Sequence, residues 1–531
     1  MRYAHLLFIL LIMSIAMSVK PLTIGHMQAN LSISGFGVEG QKIYIPKTEG
    51  MQTVIGPVGI NYSFDDYGNR YVVVYGNYDL EFQITVDSSR IAITQDTSFP
   101  GWTNESDYLG SSQLINSDNE LIKSTAEQIT SDATTNLAAI SKLMLWVHGH
   151  ITYDESYTNS TLSAIETLKI RKGVCDEFTN LYTAFARSVG IPTRIVVGLV
   201  YTGSRWRKHA WAESLVGDRW IPVDPTFAEM GQIDATHIKL YSAPTYISYM
   251  KTGSTQRLTV TSAEYSNYTL NIISNITVND SIAPRDMFSV MVKVRNNDRI
   301  IVTPTYLLQA SEGFQVLGDP RIVAIVYPGK EETISWTVVS PFGEKDKYYL
   351  GIVGPLVDKL VEVHIDRSLP VSSIPGLRID EVYAEKIGDK AKITVFVENN
   401  GNVDFDNVEV KAYSKDLGLK MKYITLLVGE RKEVEFEFQA IPGNHIFIVE
   451  AVTGNVTDQK QISLAVSSGE STKNESLFSG ITKKSNTLFW VSIGIVVIII
   501  LFVLSVPALK GKKIPFKEQK KWERLLKLGK K

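Results

Sequence analysis

The chain has one cysteine in 531 residues. That scarcity excludes an intramolecular disulfide and a cluster of thiolates around a metal. It leaves Cys175 as either a small buried side chain or a nucleophile. Net charge is also small: 54 Lys and Arg face 56 Asp and Glu, for a formal −2. Without a basic surplus, no nucleic-acid partner is expected. A chain of this length exceeds what one core can hold and implies about three or four domains. Lacking disulfide staples, those domains must rest on their apolar cores.

Long apolar runs occur only near the two ends. Residues 6–17 form a short apolar stretch behind Arg2, and Ala16 and Ser18 offer small side chains for cleavage. Residues 1–18 therefore read as a signal peptide, with an uncleaved anchor as the alternative. Residues 488–508 carry no charge, and at ~1.5 Å per helical residue they span a ~30 Å bilayer core. Ten Lys and Arg between 510 and 531 face only Glu518 and Glu523. That excess predicts a cytoplasmic tail, 509–531, whose Trp522, Leu525, Leu526 and Leu528 suit an anionic inner leaflet. A single-pass cell-membrane protein with an outward ectodomain is expected. Glycosylation sequons at Asn30, Asn61, Asn104, Asn159, Asn267, Asn275, Asn279, Asn455 and Asn474 all precede the span, which predicts a glycoprotein. The polar segment 467–487 reads as a stalk.

Between the ends the texture changes several times. Residues 19–110 alternate in stretches such as Tyr71–Tyr75 and Glu81–Val86 and predict a β domain. Within 111–250, Leu137, Ile140, Leu143, Trp146 and Val147 recur at helical spacing, and two more helices flank Cys175. Pro192 ends that pattern, and strands follow at 194–201, 209–216 and 219–222. Residues 255–370 and 375–466 read as two β-sandwich modules. They echo one another: Val290–Asn297 resembles Ile393–Asn400, each a strand closing on two asparagines.

The residues that carry chemistry fall between 160 and 230. Gly173-Val174-Cys175 opens a helix whose apolar residues are Phe178, Leu181, Tyr182, Phe185 and Val189. A thiol at a helix start is expected to be stabilised as thiolate by free N–H groups and the helix dipole. Thiol catalysis also needs a base and a group to orient it. His209 opens one strand, and Asp224 follows in the segment 219–226 that is expected to pair with it. A tight turn centred on 217–218 places residue 209 opposite about 226, beside Asp224. Arg205, Arg207 and Lys208 form a basic loop before His209, either a substrate attractor or a solvated loop. His148 and His150 suggest a metal pair, but no third ligand is evident, and a helix terminus accounts for them.

Taken together, Gly173-Val174-Cys175, Gly190-Ile191-Pro192-Thr193-Arg194, His209-Ala210-Trp211-Ala212-Glu213 and Val223-Asp224-Pro225-Thr226 resemble the transglutaminase-like superfamily, over about residues 112–230. The resemblance implies a papain-like core with Cys175 as nucleophile, His209 as general acid/base and Asp224 as orienting carboxylate. No cofactor and no metal are expected. For the oxyanion, the Cys175 N–H is one donor, and Tyr153 and Trp146 are side-chain candidates. The expected fold class is multi-domain α+β. A transglutaminase-like core is flanked by an N-terminal β domain, two C-terminal immunoglobulin-like or CARDB-like β-sandwiches and one C-terminal transmembrane helix. The expected activity is thiol-dependent acyl transfer or hydrolysis on protein or peptide amides at the cell envelope. The alternative is an idle core in a surface adhesion or scaffold protein that binds through its β modules.

Overall fold

Met27, Ala29, Leu31 and Ile33 alternate with polar neighbours and are buried, as are Leu80, Phe82, Ile84 and Val86. This period of two makes long strands of β1 (Gly25–Tyr44) and β4 (Arg70–Asp87), which pair antiparallel. Two shorter strands, β2 (Gln52–Ile55) and β3 (Ser63–Phe64), pair with β4. The computed structural model describes residues 24–89, 96–99, 106–158, 161–246, 252–278, 281–343, 347–354 and 357–466. All of these belong to one compact unit, 1–467. The predicted signal peptide, stalk, membrane span and tail lie outside the described residues. Among the described residues no helix is long and apolar enough to cross a membrane.

Four helices form next. Asn119 caps α1 (Glu120–Ile129), Thr135 caps α2 (Asn136–His150), and a Ser163–Glu166 capping box opens α3 (Ala164–Ile170). The short strands β5 (Thr152–Tyr153) and β6 (Lys172–Gly173) pair in parallel just before α4 (Cys175–Ser188). Five strands complete the layer: β7 (Thr193–Tyr201), β8 (Trp206–Val216), β9 (Arg219–Asp224), β10 (Glu229–Met230) and β11 (His237–Ala243). Their order is β10-β9-β8-β7-β11. The helices pack Phe178, Leu181, Phe185 and Ile140 against Ile195, Ala212 and Val223 of this sheet. Its other face packs Val196, Leu199, Trp211 and Ile238 against Leu31, Ile33 and Phe82 of the first sheet. Covered on both sides, β7 is apolar almost without interruption. The N-terminal sheet thus shares a core with the layer that carries the site.

Strand β12 (Thr255–Asn267) pairs with β1 from Phe36↔Thr255 to Gly25↔Asn267. The reading of 255–370 as one β-sandwich is corrected here, because its first strand completes the N-terminal sheet. Beyond it, two sheets of strands between 272 and 365 enclose Val290, Val292, Trp336, Leu350 and Ile352. Strands between 378 and 466 form two more sheets around Ile393, Val395, Val410, Phe436 and Val449. The sequence echo has a physical basis. Asn296 Nδ2 donates to the carbonyls of Ile300 and Val326 at 2.7 and 2.8 Å. Asn399 Nδ2 donates to those of Val403 and Leu426 at 2.8 and 3.1 Å. Each buried asparagine ties the end of its strand to equivalent loop carbonyls.

Both C-terminal β units are fastened to the helix-bearing layer. Ile301 joins its core and donates its N–H to Gln232 Oε1 at 3.0 Å. From the later unit, Glu381 accepts from Arg171 Nη2 at 2.7 Å and pairs with His150 Nε2 at 2.8 Å. The Arg171 guanidinium lies over Tyr383 and Phe396.

Candidate active site

Cys175 is the first residue of α4, and Val174 caps it without a side-chain bond. The cap comes from Glu177, fully buried. Its Oε2 accepts from the Val174 N–H at 2.8 Å, and its Oε1 accepts from the Leu162 N–H at 3.0 Å. The Glu177 side chain folds over Gly173, where a Cβ would lie 2.3 Å from Glu177 Cβ. Gly173 is therefore set by close packing. One turn along, Thr179 Oγ1 donates to the Ala210 carbonyl at 3.1 Å and seats the helix on β8 beside His209.

His209 and Asp224 are buried, with His209 Nε2 2.7 Å from Asp224 Oδ2. The strand register runs from Val216↔Arg219 to Ala212↔Val223, one residue short of Asp224, and the expected facing of 209 by 226 lies beyond this ladder. Asp224 Oδ1 accepts from the N–H groups of Thr226 and Phe227 at 2.8 and 3.2 Å. Burial would raise the Asp224 carboxyl, but His209 and His237 outweigh it and hold it well below the usual carboxylate range.

Cys175 remains partly exposed, and its charge state departs from the sequence expectation. Burial pushes the thiol well above its ordinary range, and the Asp176 carboxylate, 3.7 Å away, pushes it further. The Ala210 N–H opposes this, and Asp224 adds to it. Desolvation and the two neighbouring acidic groups outweigh the helix start, and the net effect is to raise the thiol. Asp176 is itself raised by burial, against the influence of Cys175, His209 and Tyr246.

The secondary candidates separate clearly. Trp146 stacks on His150 at 4.2 Å and meets Phe185 edge-on at 5.3 Å. It is a packing residue. Tyr153 pairs with Gly173 in the short ladder, and its hydroxyl is raised by burial first and then by the neighbouring Cys175. It stands beside the thiol. His148 Nδ1 is 3.2 Å from the Pro225 carbonyl, and His150 Nδ1 is 2.8 Å from the Trp146 carbonyl. Both are structural. Arg207 pairs with Glu155 at 2.8 Å, while Arg205 and Lys208 are exposed.

His237 is a residue the sequence reading missed. Its Nε2 lies 3.1 Å from Asp224 Oδ2, and its Nδ1 lies 3.0 Å from Asp234 Oδ1. Atoms of His209, Asp224 and His237, and of Glu229, Asp234 and His237, fall within 4.8 Å of one another. Mutual hydrogen bonds along His209–Asp224–His237–Asp234 account for much of that closeness. A groove of about 560 Å³ is lined by Tyr153, Phe178 and Thr226 and, from the neighbouring β unit, by Arg321 and Val323; Cys175, His209 and Asp224 are not among its lining residues.

Residues 123–225 match the family described as the Transglutaminase-like superfamily. The core of the chain is a transglutaminase-like domain. An uncharacterized protein of Mycobacterium leprae (strain TN) is 26% identical, over 34% of this chain and 74% of its own length. Among solved structures, a candidate cysteine protease of Cytophaga hutchinsonii aligns with 46% of this chain and 94% of its own. That alignment has 16% identity and a TM-score of 0.33. Red sea bream transglutaminase aligns over 83% of this chain and 93% of its own, with 11% identity and a TM-score of 0.16. The transglutaminase-like domain so matched ends at Pro225 and includes Cys175, His209 and Asp224, whereas His237 lies beyond it.

Proposed function

We propose that the protein is a thiol-dependent enzyme that transfers or hydrolyses acyl groups of protein or peptide amides through Cys175, His209 and Asp224. The observation that carries this reading is the 2.7 Å His209–Asp224 pair beside Ala210, whose N–H lowers the thiol and whose carbonyl accepts from Thr179 one turn along the helix. His209 takes the thiol proton as sulfur bonds to the amide carbonyl carbon. The resulting oxyanion is met by the Cys175 N–H, with Tyr153 as the side-chain donor at hand. Collapse expels the amine, which leaves with the proton from His209, and a thioester remains. Water or a second amine then attacks the thioester, gives its proton to His209, and the thiol is restored. With 488–508 as a membrane anchor, this chemistry takes place on proteins of the cell envelope.

A raised thiol also favours a second reading, in which the core is idle and the β units bind partners. One measurement separates the two. Cys175 is the sole cysteine, so iodoacetamide uptake by the full chain reports on it alone. The enzyme reading expects His209→Ala to slow alkylation near neutral pH at least about tenfold while the unfolding midpoint stays put. Equal rates overturn it. A labelled amine supplied with envelope extract then distinguishes transfer from hydrolysis.

A further inference from the structure

The groove beside the site is walled by two strand edges that pair on one side only. From the neighbouring β unit comes the strand Arg321–Val323, which ends its sheet and pairs antiparallel with Thr305–Ala310. Leu308 donates its N–H to the Pro320 carbonyl at 2.8 Å, and Ala324 donates its N–H to the Pro304 carbonyl at 3.0 Å. Bonding direction alternates along an antiparallel strand, so positions 320, 322 and 324 face the partner strand. The N–H and C=O of Val323 and the C=O of Arg321 therefore point outward, and both residues line the groove. The catalytic layer supplies the second edge. Thr152 and Asp154 donate to the Arg171 and Gly173 carbonyls, both at 2.9 Å. The N–H and C=O of Tyr153, between them, point away from that ladder, and Tyr153 lines the same groove. Its ladder partner Gly173 stands two residues before Cys175. Thr226, also on the wall, donates its N–H to Asp224. The groove thus excludes the catalytic trio and is bounded by residues next to it.

Open strand edges are templates for an added strand. A small ligand would satisfy few of these outward groups, whereas an extended chain presents N–H and C=O groups in the same alternation. Charge narrows the occupant further. Among the described residues no carboxylate pairs with the Arg321 guanidinium, which is exposed. Its charge is felt at His148 on the other wall, which burial lowers first and Arg321 lowers as well. Asp319, the other charged group on the wall of the β unit, already accepts the Arg321 N–H through Oδ1 at 2.8 Å. We propose that the groove receives a segment of the protein substrate as an added β-strand, paired along Arg321–Val323 and presenting an acidic side chain to Arg321. The inference rests on the catalytic reading above and makes the neighbouring β unit the part of the chain that selects the substrate.

A displayed library of random peptides tests this on the full chain carrying Cys175→Ala, which binds without turnover. The selected peptides are expected to share an acidic residue at one place. Made individually, they should bind Arg321→Gln about tenfold or more weakly. They should also lose binding to Val323→Pro, because that change removes an outward N–H and leaves the bonds to Thr305–Ala310 in place. If Val323→Pro fails to fold, N-methylation of the peptide at successive residues takes its place, and strand addition makes binding fall at every second position. Five results overturn the proposal: no enrichment, with or without self-association of the chain; selected peptides without an acidic residue; equal affinity for Arg321→Gln; binding retained by a folded Val323→Pro; or an N-methyl effect that does not alternate. The selection does not involve the thiol. Equal Cys175 alkylation in the native chain and His209→Ala would sink the catalytic reading instead, and the peptide result would still decide what the groove binds.

Discussion

Gly173→Ala tests how the nucleophile is placed. The new Cβ would sit 2.3 Å from Glu177 Cβ and 2.6 Å from its Cγ. Carbon atoms settle near 3.5–4 Å, so one side must give by about 1.2 Å or more. Glu177 is enclosed, and its two oxygens hold the Val174 and Leu162 N–H groups. If it moves, two bonds of about 1.5–3 kcal/mol each are lost. The unfolded-state gain from Gly to Ala returns only about 0.4–1 kcal/mol. A net destabilisation of about 2–5 kcal/mol is expected. If the backbone moves instead, the start of α4 shifts, and a displacement of ~1 Å at a reacting atom costs about 10²-fold in rate. Denaturant unfolding and iodoacetamide uptake by Cys175 measure the two branches together. Gly149→Ala is the control, since that exposed helical position has open space around it and should gain up to about 1 kcal/mol. A Gly173→Ala chain as stable as the native one, with unchanged uptake, would refute the packing argument.

Two other expectations concern the supports of the site. Arg187 is buried and donates to the carbonyls of Thr193, Gly110 and Pro244; Arg187→Met strands all three and should cost about 3–5 kcal/mol in denaturant unfolding. Glu381 is raised by burial, but His150 and Arg171 outweigh this and hold it well below the usual carboxylate range. Its contribution is therefore present above the unfolded carboxyl pKa and is lost as pH falls below about 4–5. Glu381→Gln should lower the unfolding midpoint at pH 7 and flatten its decline between about pH 5 and 3; an unchanged slope would count against the clasp.

The turn at 217–218 was legible because a tight hairpin and a period of two are local properties. The helices were legible for the same reason, with Leu137, Ile140, Leu143 and Val147 all buried as their spacing predicts. The partner of β12 was not legible. Its alternation suits any half-buried sheet, and only the tertiary register with β1 places it. His237 was hidden likewise. Its approach to Asp224 depends on β11 crossing to the far side of β7, with an irregularity between Lys239 and Tyr241. Glu177 escaped notice because a cap that begins at Val174 lacks the Ser or Thr that marks a capping box.

The thiol exposes a limit of arguing from a single favourable term. A helix start does favour an anion, by about 0.3–1 kcal/mol at the surface and up to ~2 when partly buried. Desolvation of a buried anion moves a pKa by up to about 3–5 units, at ~1.36 kcal/mol per unit. The second term is several-fold larger, and Asp176 adds to it. The local geometry at Cys175 thus orients the sulfur more than it ionises it. In the proposed mechanism ionisation comes from a base, His209, whose ring the buried Asp224 carboxylate fixes at 2.7 Å.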